Sequence, residues 1–285
     1  YATGEPIGNS ASLGDLYHGH GIYKSTDNGL SWIRLGNSNT GSLESFDRCA
    51  DYCLNLAVDP TNGDVYAAIL GGILRSTDGG NSWSQVLGPG CGHTGHQTDL
   101  VISPTGVLYA AFSGTHASTI DGIWRYTDST SWTRIARSGL VPGWAAAGSY
   151  GRVVLALAPS DEDILFALYD NDFSSDCGGI PGVEAALFRG NYDGVSTWSW
   201  TDLSANLPDE TGCLDGNDPF AIQGGYDLVV AVKPDDPNTV FAGGTNLYRS
   251  TDGFTTTGNT TRIGGYAAAN TYAAYANHHP DIHVL

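Results

Sequence analysis

The sequence predicts an all-β chain in which a four-stranded antiparallel unit recurs about five times. Two observations predict this fold class. A short phrase containing a serine, an aspartate, a glycine and a tryptophan returns at intervals of 50 to 65 residues. A pair of apolar segments lies between successive copies. Recurrence at such a period indicates an architecture assembled from repeated supersecondary units.

The repeated phrase, which we call the box segment, reads S-x-D-x-G-x-[ST]-W in its two best copies. Its copies begin at Ser25, Ser76, Tyr126, Asn191 and Ser250. The residues before each copy alternate apolar and polar, which predicts a half-buried strand. The aspartate and glycine are turn residues, because one bonds nearby amides and the other tolerates positive φ. Each box segment is therefore predicted to close a hairpin between the outer two strands of a sheet.

Apolar segments between the box segments supply the other two strands of each unit. Leu54–Pro60 is followed by Asp64–Ile69, and Val153–Pro159 is followed by Ile164–Leu168. Continuous apolar runs ended by proline turns are typical of strands that are covered on both faces. Together with the box hairpin they give four strands per unit, which is the number in a blade of a β-propeller.

The box segment resembles the Asp-box, or BNR repeat, of β-propeller proteins. Because each box segment is predicted to form a hairpin turn, its aspartates are expected to be structural: Asp27, Asp78, Asp128, Asp193 and Asp252. We expect residues 1–285 to form a single propeller domain. Its ends allow two interpretations. Either the last residues complete the first blade and close a five-bladed ring, or the chain is part of a longer propeller.

Charge and apolar patterning exclude several classes of partner. The chain has 12 basic and 30 acidic residues, a net charge of −18. That balance argues against nucleic acid and against anionic membrane surfaces. No apolar run is long enough to span a bilayer. We expect a secreted or cell-surface protein whose partner is a glycan or an extracellular protein.

The five cysteines are predicted to lie in loops and to form disulfides in an oxidising compartment. Cys177 and Cys213 flank the fourth box segment and are expected to pair. Among Cys49, Cys53 and Cys91 we expect one pair and one remaining thiol. A structural zinc site is the less favoured alternative, because no spacing typical of zinc ligands is present.

Segments that lead into the inner strands are the predicted ligand site, because in a propeller they form one mouth of the central channel. Aromatic rings beside carboxylates suit sugars, although such rings also serve in packing. The candidate catalytic acids are Asp227 and Asp281. The candidate ligand-binding residues are Gln97, Asp99, Trp144, Arg152, Tyr226, His279 and His283.

A cluster near the C-terminus is the one place where the sequence suggests a cofactor. His279, Asp281 and His283 would share one face of a strand, and imidazole and carboxylate groups are common metal ligands. A divalent ion is therefore a candidate. Residues i and i+4 of a strand lie about 13 Å apart, however. The alternative is that these side chains pair with neighbouring blades.

Three families share the Asp-box and imply different functions. Sialidases need three arginines, whereas here only Arg152 is predicted to face the channel. Xyloglucan hydrolases are similar in the phrases Leu247–Gly253 and Lys233–Val240. They use two acidic residues across a cleft between two propellers, and this chain supplies at most one propeller. Propellers of the sortilin type bind peptides.

We therefore expect recognition of a glycan or protein ligand at the channel mouth. A glycoside hydrolase, or a fragment of one, is the main alternative. A structural surface or filament component without catalysis is a third hypothesis. Turnover of a soluble β-glucan would favour the enzyme, and retention without turnover would favour the binding protein.

Overall fold

The computed structural model describes residues 19–38, 49–90, 96–114, 119–127, 131–171, 185–208, 220, 222, 225–265 and 282. The chain divides into two compact units, residues 1–136 and 137–285. Regular structure in the described ranges consists of strands and short 3-10 turns. None of the helices in those ranges has the length and apolar character that crossing a membrane requires.

Unit 1 begins with a two-stranded hairpin, β1 (Tyr23–Lys24) and β2 (Ile33–Arg34). Two four-stranded antiparallel sheets follow, each with its strands in chain order. The first sheet contains β3 (Cys53–Val58), β4 (Val65–Ile69), β5 (Gly72–Ser76) and β6 (Ser84–Leu87). The second sheet contains β7 (Thr98–Ile102), β8 (Leu108–Phe112), β9 (Gly122–Tyr126) and β10 (Trp132–Ala136).

Unit 2 consists of two further sheets with the same strand order. The first contains β11 (Val153–Ala158), β12 (Asp161–Asp170), β13 (Ala185–Tyr192) and β14 (Trp198–Asp202). The second contains β15 (Val229–Lys233), β16 (Asp236–Gly243), β17 (Leu247–Ser250) and β18 (Thr260–Gly264). The predicted fold class, all-β with the four-stranded antiparallel blades of a β-propeller, is confirmed.

The hydrophobic cores lie between successive sheets, and strand alternation explains how one strand serves two of them. Ala67 and Ile69 of β4 pack with Ile22 of the first hairpin. Tyr66 and Ala68 of the same strand pack with residues of the following sheet. Successive side chains of a strand point to opposite faces of its sheet. β4 is the second strand of its sheet and is covered on both faces. It is therefore apolar along its whole length, as the sequence predicts.

The box segments connect the third and fourth strands of each four-stranded sheet, and their aspartates organise the turns. In the second copy, Asp78 Oδ1 accepts hydrogen bonds from Ser76 Oγ and from the Ser82 amide, both at 2.8 Å. Ser82 Oγ donates to Asp78 Oδ2 at 2.6 Å. Asp27 has the same set of partners in the first copy. Each carboxylate thus holds both sides of its turn together.

The decayed and partial copies keep this chemistry with other donors. Asp193 accepts three backbone hydrogen bonds, from Val195, Ser196 and Thr197, at 2.8 to 2.9 Å. Asp252 accepts from Ser250, Thr256 and Asn259 at 2.7 to 2.9 Å. Asp128 lies outside the described residues.

Donated hydrogen bonds favour the ionised form of these carboxyls and lower their pKa values. The Ser82 hydroxyl, the Ser82 amide and the Ser76 hydroxyl lower the pKa of Asp78 from 3.8 to about 2. For Asp252, burial raises the pKa, but bonds from Asn259, Thr256 and Ser250 outweigh it and hold the value below the ordinary range. The box carboxylates therefore stay charged well into acid.

We expect the box segments to make stability depend on pH in a narrow acidic window. A carboxyl whose folded pKa is depressed contributes stability above its unfolded pKa and loses that contribution as pH falls through the folded value. For Asp78 the window runs from about 3.8 down to about 2. Melting temperatures measured from pH 6 to pH 2 should fall less steeply for Asp78→Asn than for the unchanged chain. Asp163→Asn, which removes an exposed carboxylate outside the box segments, should leave the slope unchanged.

Candidate functional site

The residues that precede the inner strands lie at the same end of neighbouring sheets in each unit, which we call the lead-in edge. In unit 1 this edge contains Asp51 before β3 and Gln97 before β7. In unit 2 it contains Arg152 before β11 and Asp227 before β15. Strands β3 and β7 contact each other, as do β11 and β15. The polar side chains that precede the inner strands thus lie at the lead-in edge of each unit.

In unit 1 the predicted ligand residues take part in hydrogen bonds within and between the sheets. Asn55 Nδ2 donates to Asp99 Oδ1 at 2.6 Å and to the Leu100 carbonyl oxygen at 3.2 Å. The Gln97 carbonyl oxygen accepts from the Ser113 amide at 2.9 Å. Gln97 and Asp99 are both buried. These contacts give Asp99 a role in joining β3 to β7.

In unit 2, Arg152 joins the lead-in segments of two sheets. Its Nη1 donates to the carbonyl oxygens of Gly225 and Tyr226, at 3.1 and 3.3 Å. The Arg152 carbonyl oxygen accepts from the Asp170 amide at 2.9 Å. Arg152 and Tyr226 are half-buried. A half-buried arginine and a half-buried tyrosine therefore belong to this edge.

Two glycines allow Asp170 and Arg152 to pack closely at this segment. A Cβ atom at Gly151 would collide with Asp170 Oδ2. At Gly225, where φ is +87°, a Cβ would lie 3.1 Å from Arg152 Cβ and 3.6 Å from Asp170 Oδ2. A side chain at Gly151 would displace the carboxylate, and one at Gly225 would crowd Arg152 Cβ and strain the backbone. The arrangement of Arg152 and Asp170 thus depends on both glycines.

Two buried acids belong to this edge. Asp227 is completely buried and Asp170 is 5% exposed. Asp227 does not present its carboxylate to solvent in this structure, so a direct contact with a substrate would require the lead-in segment to move. The sequence analysis did not identify Asp170. The sequence does contain a signal for it, which is an acidic residue at the end of the second strand. The equivalent positions in the other three sheets are Leu70, Ser113 and Gly244.

Trp144 corrects the expectation of an exposed aromatic ring. Its side chain is only 4% exposed. Its ring centroid lies 4.9 Å from those of both Tyr169 and Phe188, and 6.1 Å from those of Tyr150 and Trp200. A ring enclosed in this way offers no face to a sugar. The packing interpretation, which the sequence left open, applies to this residue.

The described cysteines differ from the predicted arrangement in one respect. Cys53 is the first residue of β3 and not a loop residue, and its side chain is a buried thiol in the core of unit 1. Cys49 is disulfide-bonded. Cys91, Cys177 and Cys213 lie outside the described residues. The pairing of Cys177 with Cys213 stays a prediction.

The candidate residues near the C-terminus also lie outside the described part of the chain: His279, Asp281 and His283. The metal site and the second catalytic acid therefore stay predictions. Among the residues that are described, no group of three histidine, cysteine or acidic side chains is placed to hold a metal ion.

Comparison with known proteins gives a distant glycoside hydrolase relative. No family model matches the chain. Over 201 residues it is 26% identical to a xyloglucanase from a Paenibacillus species, a match that covers 64% of this chain and 18% of that protein. The chain thus spans less than a fifth of the length of this relative.

Two solved structures have a similar arrangement of strands. An α-L-arabinofuranosidase of Fusarium graminearum is 13% identical with a TM-score of 0.47, over 86% of this chain and 72% of that one. An α-L-arabinanase of Penicillium chrysogenum is 15% identical with a TM-score of 0.46, over 87% of this chain and 73% of that one. The chain is thus similar, over part of its length, to a glycoside hydrolase.

Proposed function

We propose that the chain is a glycan-recognising part of a secreted, glycoside hydrolase-like propeller protein, and that the lead-in edge of unit 2 binds the glycan. The sequence match to a xyloglucanase carries this proposal. It suggests a soluble β-glucan of the xyloglucan class as the first ligand to test. The disulfide at Cys49 supports an extracellular location, since disulfides persist in oxidising compartments.

The contacts at the edge fit a sugar. Tyr226 offers a half-buried ring, which presents an apolar face and a polar tip. Arg152 supplies hydrogen-bond donors and no acceptor. Sugar hydroxyls can accept from a guanidinium while the apolar face of the sugar rests on a ring. The buried acids Asp170 and Asp227 belong to the same edge.

Binding is tested by calorimetric titration of xyloglucan oligosaccharides into the unchanged chain and two variants. Arg152→Gln and Tyr226→Ala should each weaken binding about tenfold or more, because each removes one principal ligand contact. Lys233→Gln is the matched control. It removes a positive charge from the opposite end of β15 and should leave the affinity unchanged.

Failure of the proposal has a clear signature. If all three variants bind the sugar as tightly as the unchanged chain and melt at the same temperature, the ligand does not bind at this edge. Absence of binding to xyloglucan and arabinan oligosaccharides by the unchanged chain would overturn glycan recognition. Comparing melting temperatures separates loss of a contact from loss of the fold.

Hydrolysis is the second candidate function, and the sequence relative favours it. Glycoside hydrolases use a pair of carboxyl groups. Asp227 is the candidate acid of the pair among the described residues. If the chain hydrolyses xyloglucan, Asp227→Asn should abolish release of reducing ends while binding persists. Turnover that survives this substitution would exclude Asp227 from the chemistry.

A further inference from the structure

Two asparagine–glycine steps occur in the sequence, and the structure gives their side chains different environments. They are Asn28–Gly29 in the first box segment and Asn62–Gly63 in the turn between β3 and β4. The side-chain carbon of an asparagine can be attacked by the backbone nitrogen of the next residue. Glycine favours this reaction, because it has no Cβ to shield its nitrogen.

The side chain of Asn62 is held at both of its polar atoms. Its Nδ2 donates to Asp59 Oδ2 at 2.9 Å, and its Oδ1 accepts from the Asp64 amide at 2.8 Å. Asp59 is buried, and its Oδ1 accepts from the amide and the hydroxyl of Thr61 at 2.8 and 2.6 Å. Rotation of the Asn62 side chain toward the Gly63 nitrogen therefore breaks two hydrogen bonds.

Asn28 lies in the exposed part of the first box turn. Its φ is +59°, and the equivalent residues of the second and fifth copies are Gly79 and Gly253, with φ of +71° and +67°. The turn therefore uses the backbone of this position and does not require a side chain there. Within the described part of the chain, the exposed Asn28 side chain takes part in no hydrogen bond.

The two glycine nitrogens are held to a similar degree. The Gly29 amide donates to Ser25 Oγ at 2.7 Å, and the Gly63 amide donates to the Asp59 carbonyl oxygen at 2.8 Å. Each turn must open before its nitrogen can react, so this requirement is common to the two steps. The difference between them lies in the asparagine side chains.

We propose that Asn28 is a site of spontaneous deamidation, and that the fold protects Asn62 from the same reaction. Base removes the Gly29 amide proton, and the nitrogen forms a bond to Asn28 Cγ. The Cγ–Nδ2 bond breaks, and the departing nitrogen takes a proton from water and leaves as ammonia. Water then opens the cyclic imide at one of its two carbonyl carbons, which gives aspartate or isoaspartate at position 28.

Either product changes the first box turn. Bonds from the Ser31 hydroxyl and amide and from the Ser25 hydroxyl lower the pKa of Asp27 to about 2, so a new carboxylate would stand beside an ionised one. Isoaspartate also adds a carbon atom to the backbone between Asp27 and Gly29. The Gly29 carbonyl oxygen accepts from Trp32 Nε1 at 3.1 Å, and this bond spans the altered segment. The modification is therefore expected to loosen the hairpin of β1 and β2.

The test compares the two steps in one sample. The folded chain is incubated at mildly alkaline pH, digested with trypsin and analysed by mass spectrometry that separates aspartate from isoaspartate. Trypsin releases residues 25–34 as one peptide, because Lys24 and Arg34 provide the cleavage sites. Asn28 should react about tenfold or more faster than Asn62, since the Asn62 side chain must first lose two hydrogen bonds. In urea, where both steps are unfolded, the two rates should become similar.

Two variants identify the cause. Asp59→Ala removes the acceptor of Asn62 Nδ2 and should speed the reaction at Asn62 without changing that at Asn28. Asn28→Gln should leave the peptide of residues 25–34 unmodified. If Asp59→Ala does not fold, the comparison between the folded chain and urea still decides.

Three results would overturn the proposal. One is equal or slower reaction at Asn28 than at Asn62 in the folded chain. Another is a folded chain that keeps Asn28 intact while the unfolded chain reacts. The third is a ratio of rates that is the same in urea as in the folded chain, because neighbouring sequence and not the fold would then cause the difference.

Discussion

Trp144→Ala is expected to lower the free energy of unfolding by about 3–5 kcal/mol, the usual result of truncating a buried aromatic ring. The side chain is 4% exposed and contacts four other aromatic rings. Removing it leaves a cavity that the large neighbouring rings cannot fill by small movements. Edge-to-face and tilted ring contacts are lost as well.

Denaturant unfolding followed by circular dichroism measures this effect. Trp32→Ala is the matched control, because Trp32 is 46% exposed and its removal opens no cavity. We expect the control to change the unfolding free energy by less than about 1 kcal/mol. Similar losses in the two variants would show that the aromatic cluster around Trp144 is not a principal source of stability.

Phe254→Ala is expected to lower the free energy of unfolding by about 3–5 kcal/mol as well. A second variant separates the contribution of packing from that of the backbone. Phe254 occupies the box position that is Gly29 in the first copy and Gly80 in the second. Its φ is +60°, in the left-handed region, yet its ring is completely buried in the core of unit 2. Packing therefore holds a phenylalanine where the turn favours glycine.

Comparison of Phe254→Ala with Phe254→Gly isolates the backbone contribution. Both variants lose the ring. The glycine variant also loses the left-handed strain, which for other residues is roughly 1–2 kcal/mol. We expect Phe254→Gly to be the more stable of the two by about 1 kcal/mol, the reverse of the usual order within regular structure. An alanine variant that is more stable than the glycine variant would contradict this account.

Local features of the fold were predictable from the sequence. The box turns follow from an aspartate, a glycine and hydroxyl donors at fixed spacing, all within a few residues of Asp27 or Asp78. The buried second strands follow from uninterrupted apolar runs such as Val65–Ile69. Both signals depend on neighbours in sequence.

Features that depend on tertiary packing were not predictable. Trp144 sits in a segment whose composition suits a binding loop, and only its contacts with β12 and β13 show that it is buried. Asp170 reaches the lead-in edge because Gly151 leaves room for its carboxylate. Phe254 departs from the box pattern, and the sequence alone does not show that the core receives its ring.

The central claim is that unit 2 binds a glycan at its lead-in edge, and an NMR titration tests it most directly. Amide chemical shifts of the isotope-labelled chain are followed as a neutral xyloglucan oligosaccharide is added. The account predicts that the largest changes occur at Arg152, Asp170 and Gly225–Asp227, with Thr257–Arg262 unaffected. Changes confined to other residues, or none at saturating sugar, would contradict it.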